Sequence, residues 1–130
     1  MKSISYLVLF VFALAIAVTS CKKDKLTTEE MLTAKSWKLS SSKVNGVETI
    51  EDCSKDDILI FAANGTYSMT VGSILCYDGD TNYTGSWTLS ADGKTITVDG
   101  EPTPIIITES KLVVTTVDGT ETTVITLIPV

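Results

Sequence analysis

The chain has 130 residues, of which 44% are hydrophobic. It has ten lysines and sixteen carboxylates, which give a net charge of −6 at neutral pH. It contains no histidine and no arginine. The composition excludes catalysis by a Ser-His or Cys-His pair, and it disfavours a nucleic-acid partner, because phosphate contacts rest on clustered basic side chains.

The N-terminal segment has the layout of a removable signal. Lys2 precedes an apolar run over residues 4–18, and Val18-Thr19-Ser20-Cys21 ends that run before a cluster of lysines. A spanning helix needs about 20 apolar residues, and this run is shorter, although an uncleaved membrane anchor remains the alternative. The layout resembles a bacterial lipoprotein signal peptide that ends in a lipobox.

That resemblance implies that cleavage between Ser20 and Cys21 removes residues 1–20, and that Cys21 then carries acyl chains such as palmitate. We expect a protein of the bacterial cell envelope that membrane lipid holds through Cys21. Lys22 is not the Asp that retains some lipoproteins at the inner membrane, which favours the outer membrane and leaves its face open. Residues 21–26 would form a tether, and residues 27–130 the domain.

Residues 26–34 predict one short helix. Thr27 occupies the N-cap position, and Glu30 follows three residues later, which is the spacing of a capping box. In that arrangement each side chain accepts a hydrogen bond from the backbone N–H of the other residue. The helix is therefore expected to begin directly after the tether.

From Trp37 onward the apolar residues alternate with polar ones, a period typical of antiparallel strands with one face in water. The alternating apolar positions are Trp37 and Leu39; Tyr67, Met69 and Val71; Trp87 and Leu89; and Ile96 and Val98. The turn dipeptides between such runs are Asn45-Gly46, Asn64-Gly65, Asp92-Gly93, Asp99-Gly100 and Asp118-Gly119. These signals predict an all-β domain, an antiparallel up-and-down meander of about eight strands that closes to remove its edges.

Two segments leave the inward-facing residues undecided. The segments 57–61 and 105–107 contain consecutive apolar residues, Ile58 to Phe61 and Ile105 to Ile107, so alternation does not assign their faces. Pro102 and Pro104 lack a backbone N–H, and we expect them to break the ladder before the sixth strand, which begins near Ile105.

Cys53 and Cys76 form an even pair once Cys21 is assigned to lipid. In an exported protein such a pair predicts a disulfide, which would stabilise the fold by about 3 kcal/mol. The alternative is two separate buried thiols. Two cysteines without histidine or CxxC spacing fall short of a zinc site, so no metal is expected.

Several short motifs occur in a familiar order along the domain. They are Trp37-Lys38-Leu39, Asn45-Gly46, Cys53-Ser54-Lys55-Asp56-Asp57, Phe61-Ala62-Ala63-Asn64-Gly65-Thr66-Tyr67, Cys76, Gly85-Ser86-Trp87-Thr88-Leu89 and Asp92-Gly93-Lys94-Thr95-Ile96. From about Leu32 to Val130 the chain resembles the lipocalin-like domains of small bacterial lipoproteins. The resemblance implies an eight-stranded barrel that encloses an apolar cavity, and it implies no particular ligand. Lys35 stands where lipocalins proper usually have glycine.

Two acidic segments are candidates for chemistry. Asp56-Asp57 could pair as acid and base, but neighbours on a strand point to opposite faces, which favours a loop or strand-edge role. Asp78-Gly79-Asp80-Thr81-Asn82 spaces its oxygens like the start of a calcium loop, but Tyr83 and Leu89 replace the required Gly and Glu. A solvated loop is the expectation there, with a weak cation site as the alternative.

The aromatic and sulfur-bearing residues of the strands are the candidates for ligand contacts. We assign Trp37, Tyr67, Met69 and Trp87 to the barrel interior, where they would either line a pocket or fill the core. The leading hypothesis is a non-enzymatic, lipid-anchored protein without a cofactor that binds a small apolar molecule or serves as an envelope accessory module. The alternative is an adaptor with a filled barrel that binds a protein or glycan through its outer surface.

Overall fold

The computed structural model describes residues 24–130. The signal, the cleavage position and Cys21 therefore lie outside the described residues. Within this range, no helix has both the length and the apolar character needed to cross a membrane.

The predicted helix and its capping box are confirmed. Helix α1 covers Thr28–Thr33. The Glu30 N–H donates to Thr27 Oγ1 at 3.2 Å, and the Thr27 N–H donates to Glu30 Oε2 at 2.7 Å. Since acceptance of this backbone N–H lowers the pKa of Glu30, the box is strongest with the carboxylate ionised.

The predicted all-β meander is also confirmed, as a closed barrel of eight strands. The strands are β1 Ser36–Val44, β2 Val47–Glu48, β3 Ile58–Phe61, β4 Thr66–Thr70, β5 Tyr83–Leu89, β6 Thr95–Val98, β7 Glu101–Thr108, β8 Lys111–Asp118 and β9 Glu121–Pro129. From β3 to β9 each strand pairs antiparallel with its sequence neighbour, and β1 closes the barrel by pairing with both β3 and β9. The two residues of β2 fold back on β1 and lie outside the ring.

The structure assigns faces in the two fully apolar segments. In β3, Phe61 is buried and Ile60 is 40% exposed, so Leu59 and Phe61 face inward. In β7, Ile105 is buried whereas Ile106 is 68% exposed. Strand β3 begins at Ile58, one residue later than the predicted segment 57–61.

The expectation that Pro102 and Pro104 break the ladder before the sixth strand was wrong for the pairing with β6. Both lie inside β7, opposite Thr97 and Thr95 of β6. The Ile105 N–H points toward β6, where it donates to the Lys94 carbonyl at 2.9 Å. Because N–H directions alternate along a strand, the missing N–H of each proline falls on the other edge of β7, and the described pairing with β8 begins only at Ile105.

The two ends of the barrel differ. Helix α1 and the turns at residues 62–65, 90–94 and 109–110 lie at one end, which we call the closed end. Leu32 and Trp37 are fully buried there, and Trp37 Nε1 donates to the Leu32 carbonyl at 3.0 Å. Residues 45–57, 71–82, 99–100 and 119–120 connect the strands at the opposite end, which we call the open end.

Candidate binding cavity

The barrel interior contains a cavity of about 560 Å³. This volume lies within the range of about 300–1,000 Å³ that is typical of small-molecule pockets. The lining is mainly apolar and comes from Trp37, Leu39, Leu59, Phe61, Tyr67, Met69, Ile96, Val98, Leu112, Val114, Ile125 and Leu127. Its other members, apart from Thr103, belong to the connections at the open end, namely Ser54, Asp57, Cys76, Tyr77 and Asp80. The cavity therefore extends toward that end, where Tyr77 is 65% exposed.

Three of the four residues assigned from the sequence lie along the cavity, namely Trp37, Tyr67 and Met69. Trp87 is buried but lies outside the lining. Its ring packs edge-on against Phe61, with centroids 5.6 Å apart, and its Nε1 donates to the carbonyls of Ala62 and Thr66. Trp87 thus belongs to the packed closed end.

A carboxylate at the β6–β7 turn holds two tyrosines together. Asp99 Oδ2 accepts hydrogen bonds from the hydroxyls of Tyr67 at 2.6 Å and Tyr83 at 3.0 Å. Asp99 Oδ1 accepts from the Ser86 N–H at 2.9 Å. The bonds from Tyr83 and Ser86 hold the Asp99 carboxylate, which in turn orients the Tyr67 hydroxyl, and the Tyr67 ring lies along the cavity.

Gly85 makes room for this cluster. A Cβ at position 85 would lie 2.4 Å from Asp99 Oδ1 and 2.6 Å from Tyr67 Cε1. Asp99 itself has a φ of +50°, a left-handed conformation that Asp and Asn adopt more readily than most residues. The Asp99-Gly100 turn therefore serves a second purpose besides reversing the chain.

The hydrogen bonds shift the pKa of both partners. The Tyr67 hydroxyl, followed by the Ser86 N–H, lowers the pKa of Asp99 below its ordinary 3.8. Burial, and then the bond to Asp99, raise the pKa of Tyr67. Asp99 is thus a carboxylate and Tyr67 a neutral phenol across the physiological range.

The predicted disulfide between Cys53 and Cys76 is present, with an S–S distance of 2.03 Å. It joins the 3-10 helix Asp52–Lys55 to the loop 71–82. Because Cys76 also lines the cavity, the bridge forms part of the cavity wall at the open end.

The paired carboxylates Asp56 and Asp57 support the same loop. Asp57 Oδ1 accepts from the Gly72 N–H at 2.9 Å, and Asp56 Oδ2 accepts from the Ser73 hydroxyl and the Ile74 N–H at 3.1 Å. The bond from Ile74 contributes most to a lowered pKa of Asp56. Their positions agree with the loop role expected from the sequence.

The acidic segment 78–82 also accepts hydrogen bonds from backbone N–H groups earlier in the loop 71–82. Asp80 Oδ2 accepts from the Cys76 N–H at 3.2 Å, and Asn82 Oδ1 accepts from the Val71 N–H at 2.9 Å. Glu51 comes close to Cys53 and Cys76, but both sulfurs are committed to the disulfide. Within residues 24–130 neither group has the arrangement of a metal site.

Sequence reasoning missed most of the lining. Val98, Val114 and Ile125 face the cavity together, although they come from three different strands. Alternation identifies the inward face of each strand, but it does not show which residues of different strands lie at the same level along the barrel axis. Asp80 was expected in a solvated loop, with a cation site as the alternative, and the structure places it along the cavity.

Substitution of Asp99 tests the role of its ionised form. Since the folded pKa of Asp99 is lowered, its contribution to stability is present above the ordinary value of 3.8 and is lost as the pH falls through the folded pKa. We expect Asp99→Asn to unfold at a lower temperature than the wild type at neutral pH, and the difference to narrow below about pH 4. Thermal unfolding monitored by circular dichroism measures the unfolding temperatures of both proteins from neutral pH to below pH 4.

Asp118→Asn, at another turn of the open end, is the matched control and should differ little from the wild type at any pH. A deficit of Asp99→Asn that stays constant from neutral to acidic pH would contradict the assignment.

Comparison with known proteins agrees with this architecture. A search of curated proteins found none that matches the chain. The family model described as lipocalin-like domain matches residues 33–127, a span that runs from the end of α1 into β9. The match covers most of the chain, and the chain belongs to the lipocalin-like domain family.

Proposed function

We propose that this protein is a membrane-anchored lipocalin-like lipoprotein that binds a small apolar molecule inside its barrel. The supporting observation is the cavity of about 560 Å³ with its mainly apolar lining. Membership of the lipocalin-like family points the same way, since this fold is typically a binding fold and not a catalytic one.

The lining provides the driving force for such a ligand. Transfer of apolar surface out of water is favourable by about 0.8 kcal/mol for each buried methylene. A flexible chain or ring system that fills the cavity would replace water against Leu39, Val114 and Ile125. The described polar groups lie mostly at one end of the cavity, so they would orient the ligand along the barrel axis.

The alternative of an adaptor with a filled barrel is less well supported. That hypothesis requires Trp37, Tyr67, Trp87 and the isoleucines to occupy the interior. Trp87 packs at the closed end, and Trp37 and Tyr67 lie along the wall of the cavity. The space between them favours binding inside the barrel over recognition by its outer surface.

The lipid anchor rests on the signal pattern that ends at Cys21. Several acyl chains on that cysteine would hold the protein at a membrane, since a single chain binds only marginally. Because α1 packs at the closed end, the tether would leave the barrel there. The open end would then lie on the side away from the anchor, in contact with the aqueous phase.

Filling the cavity tests the binding function. Val114→Trp adds an indole to the cavity wall, and we expect it to weaken the binding of the neutral fluorescent probe N-phenylnaphthylamine by about tenfold or more, because overpacked space excludes the probe. Val113→Trp is the matched control, because Val113 is on the outward face opposite the exposed Ile106. Fluorescence titration of purified residues 24–130 gives the affinities.

Circular dichroism verifies that each variant is folded, and Val114→Phe is the smaller substitution if Val114→Trp is not. Absence of probe binding to the wild type, or equal binding by folded Val114 and Val113 variants, would overturn the proposal.

Substitution of the acylated cysteine tests the anchor. Cys21→Ser removes the thiol that forms the thioether, so we expect the variant to move from the membrane fraction to the soluble fraction of the producing cells. Lys23→Ser, two residues away, should stay with the membranes. Separation of inner and outer membranes by density would locate the wild type at the outer membrane. Retention of Cys21→Ser in the membrane fraction would rule out the lipid anchor.

A further inference from the structure

The net charge of the described residues is concentrated at the open end. Seven lysines and sixteen carboxylates lie within residues 24–130. The open half holds eleven of these carboxylates: Glu48, Glu51, Asp52, Asp56, Asp57, Asp78, Asp80, Asp99, Glu101, Asp118 and Glu121. Its lysines are Lys43 and Lys55, and the Lys55 ammonium already pairs with Asp52 at 2.6 Å. The half of the barrel nearer the closed end, with α1 and the residues before it, has five lysines and five carboxylates and therefore no net charge.

Two of the carboxylates belong to the cavity itself. Asp57 and Asp80 both line it at the open end, and none of its lining residues within the described range is a lysine. One oxygen of each carboxylate accepts a backbone N–H, from Gly72 and Cys76 respectively. These bonds hold the two carboxylates in place, Asp57 two residues after the 3-10 helix and Asp80 in the loop 71–82. The apolar cavity therefore ends in a fixed pair of negative charges.

We infer that the ligand of this cavity is a cationic amphiphile, whose apolar body enters the barrel while a protonated amine stays at the mouth beside Asp57 and Asp80. This inference rests on the proposed function, since it presumes that the barrel binds an apolar molecule. It adds the chemical class of the ligand, and it excludes fatty acids and other anionic lipids as preferred ligands.

Electrostatics at the mouth gives the physical reason. Clefts lined by one sign of charge concentrate ligands of the opposite sign and repel those of the same sign. An amine at the mouth meets two carboxylates that the fold has already positioned, so little ordering is needed on binding. A carboxylate ligand of equal length would bring a third negative charge to the same place.

Three ligands of equal chain length distinguish the effect of headgroup charge on affinity from that of the apolar chain. Dodecylamine, dodecanol and dodecanoate compete with N-phenylnaphthylamine for purified residues 24–130 at neutral pH. Each is kept below its solubility limit or its micelle-forming concentration. We expect the amine to displace the probe at a concentration about tenfold lower than the alcohol, and the carboxylate to require more than the alcohol. The difference should shrink as salt is added, because salt screens charges near the surface.

Removal of the two negative charges tests whether they cause the preference for the amine. Asp57→Asn with Asp80→Asn keeps a carbonyl oxygen for each backbone N–H, and it should bring the displacing concentration of the amine to within about twofold of that of the alcohol in the same variant. Asp118→Asn with Glu121→Gln removes the same charge from the open end outside the cavity lining, and it should keep most of the preference.

The outcomes separate this inference from the proposed function. Equal displacement by all three ligands, or a preference that survives in the Asp57 and Asp80 variant, overturns the cationic ligand and leaves the apolar binding function standing. Equal weakening of all three ligands in that variant also overturns it, since the residues would then only support the loop. Failure of the probe and of all three ligands to bind the wild type overturns both.

Discussion

Closure of the barrel by β1 and β9 is the constraint on which the rest of this structure depends. The pairing runs from Trp37 opposite Pro129 to Val44 opposite Thr123, with a register shift between Leu39 and Ser41. It joins the first strand of the domain to the last, so it satisfies both edges of the meander at once. Without it the sheet would expose two unpaired edges, and the inner face would have no opposite wall.

The closed ring determines where the interior is full and where it is empty. Large aromatic rings gather at the closed end, where Trp37 and Trp87 direct their indole N–H groups to backbone carbonyls. Nearer the open end the inward residues include the smaller Val98, Val114 and Ile125. A barrel of eight strands has an interior just wide enough for side chains or one small ligand. The smaller side chains near the open end therefore leave space for the cavity, which extends toward that end.

Local signals in the sequence were sufficient to predict the helix, the strands and the disulfide. Thr27 and Glu30 carry the capping box within four residues, and Asp99-Gly100 indicates its turn by composition alone. Nonlocal features were beyond that reasoning. Whether the strand can contain Pro102 and Pro104 depends on which edge of β7 faces β6. The position of Trp87 at the closed end depends on the turn at residues 62–65. The role of Asp99 requires the contact with Tyr67, a residue that is 32 positions away in the sequence.

Native mass spectrometry measures directly whether the barrel carries a small molecule in the cells that produce the protein. The protein would be purified without added ligand from the cells that naturally produce it, and its intact mass compared with that of the same sample after denaturation. We expect a released small molecule that is apolar and carries an amine, bound in a ratio of one to one. Native and denatured samples of identical mass, with no released molecule, would contradict it.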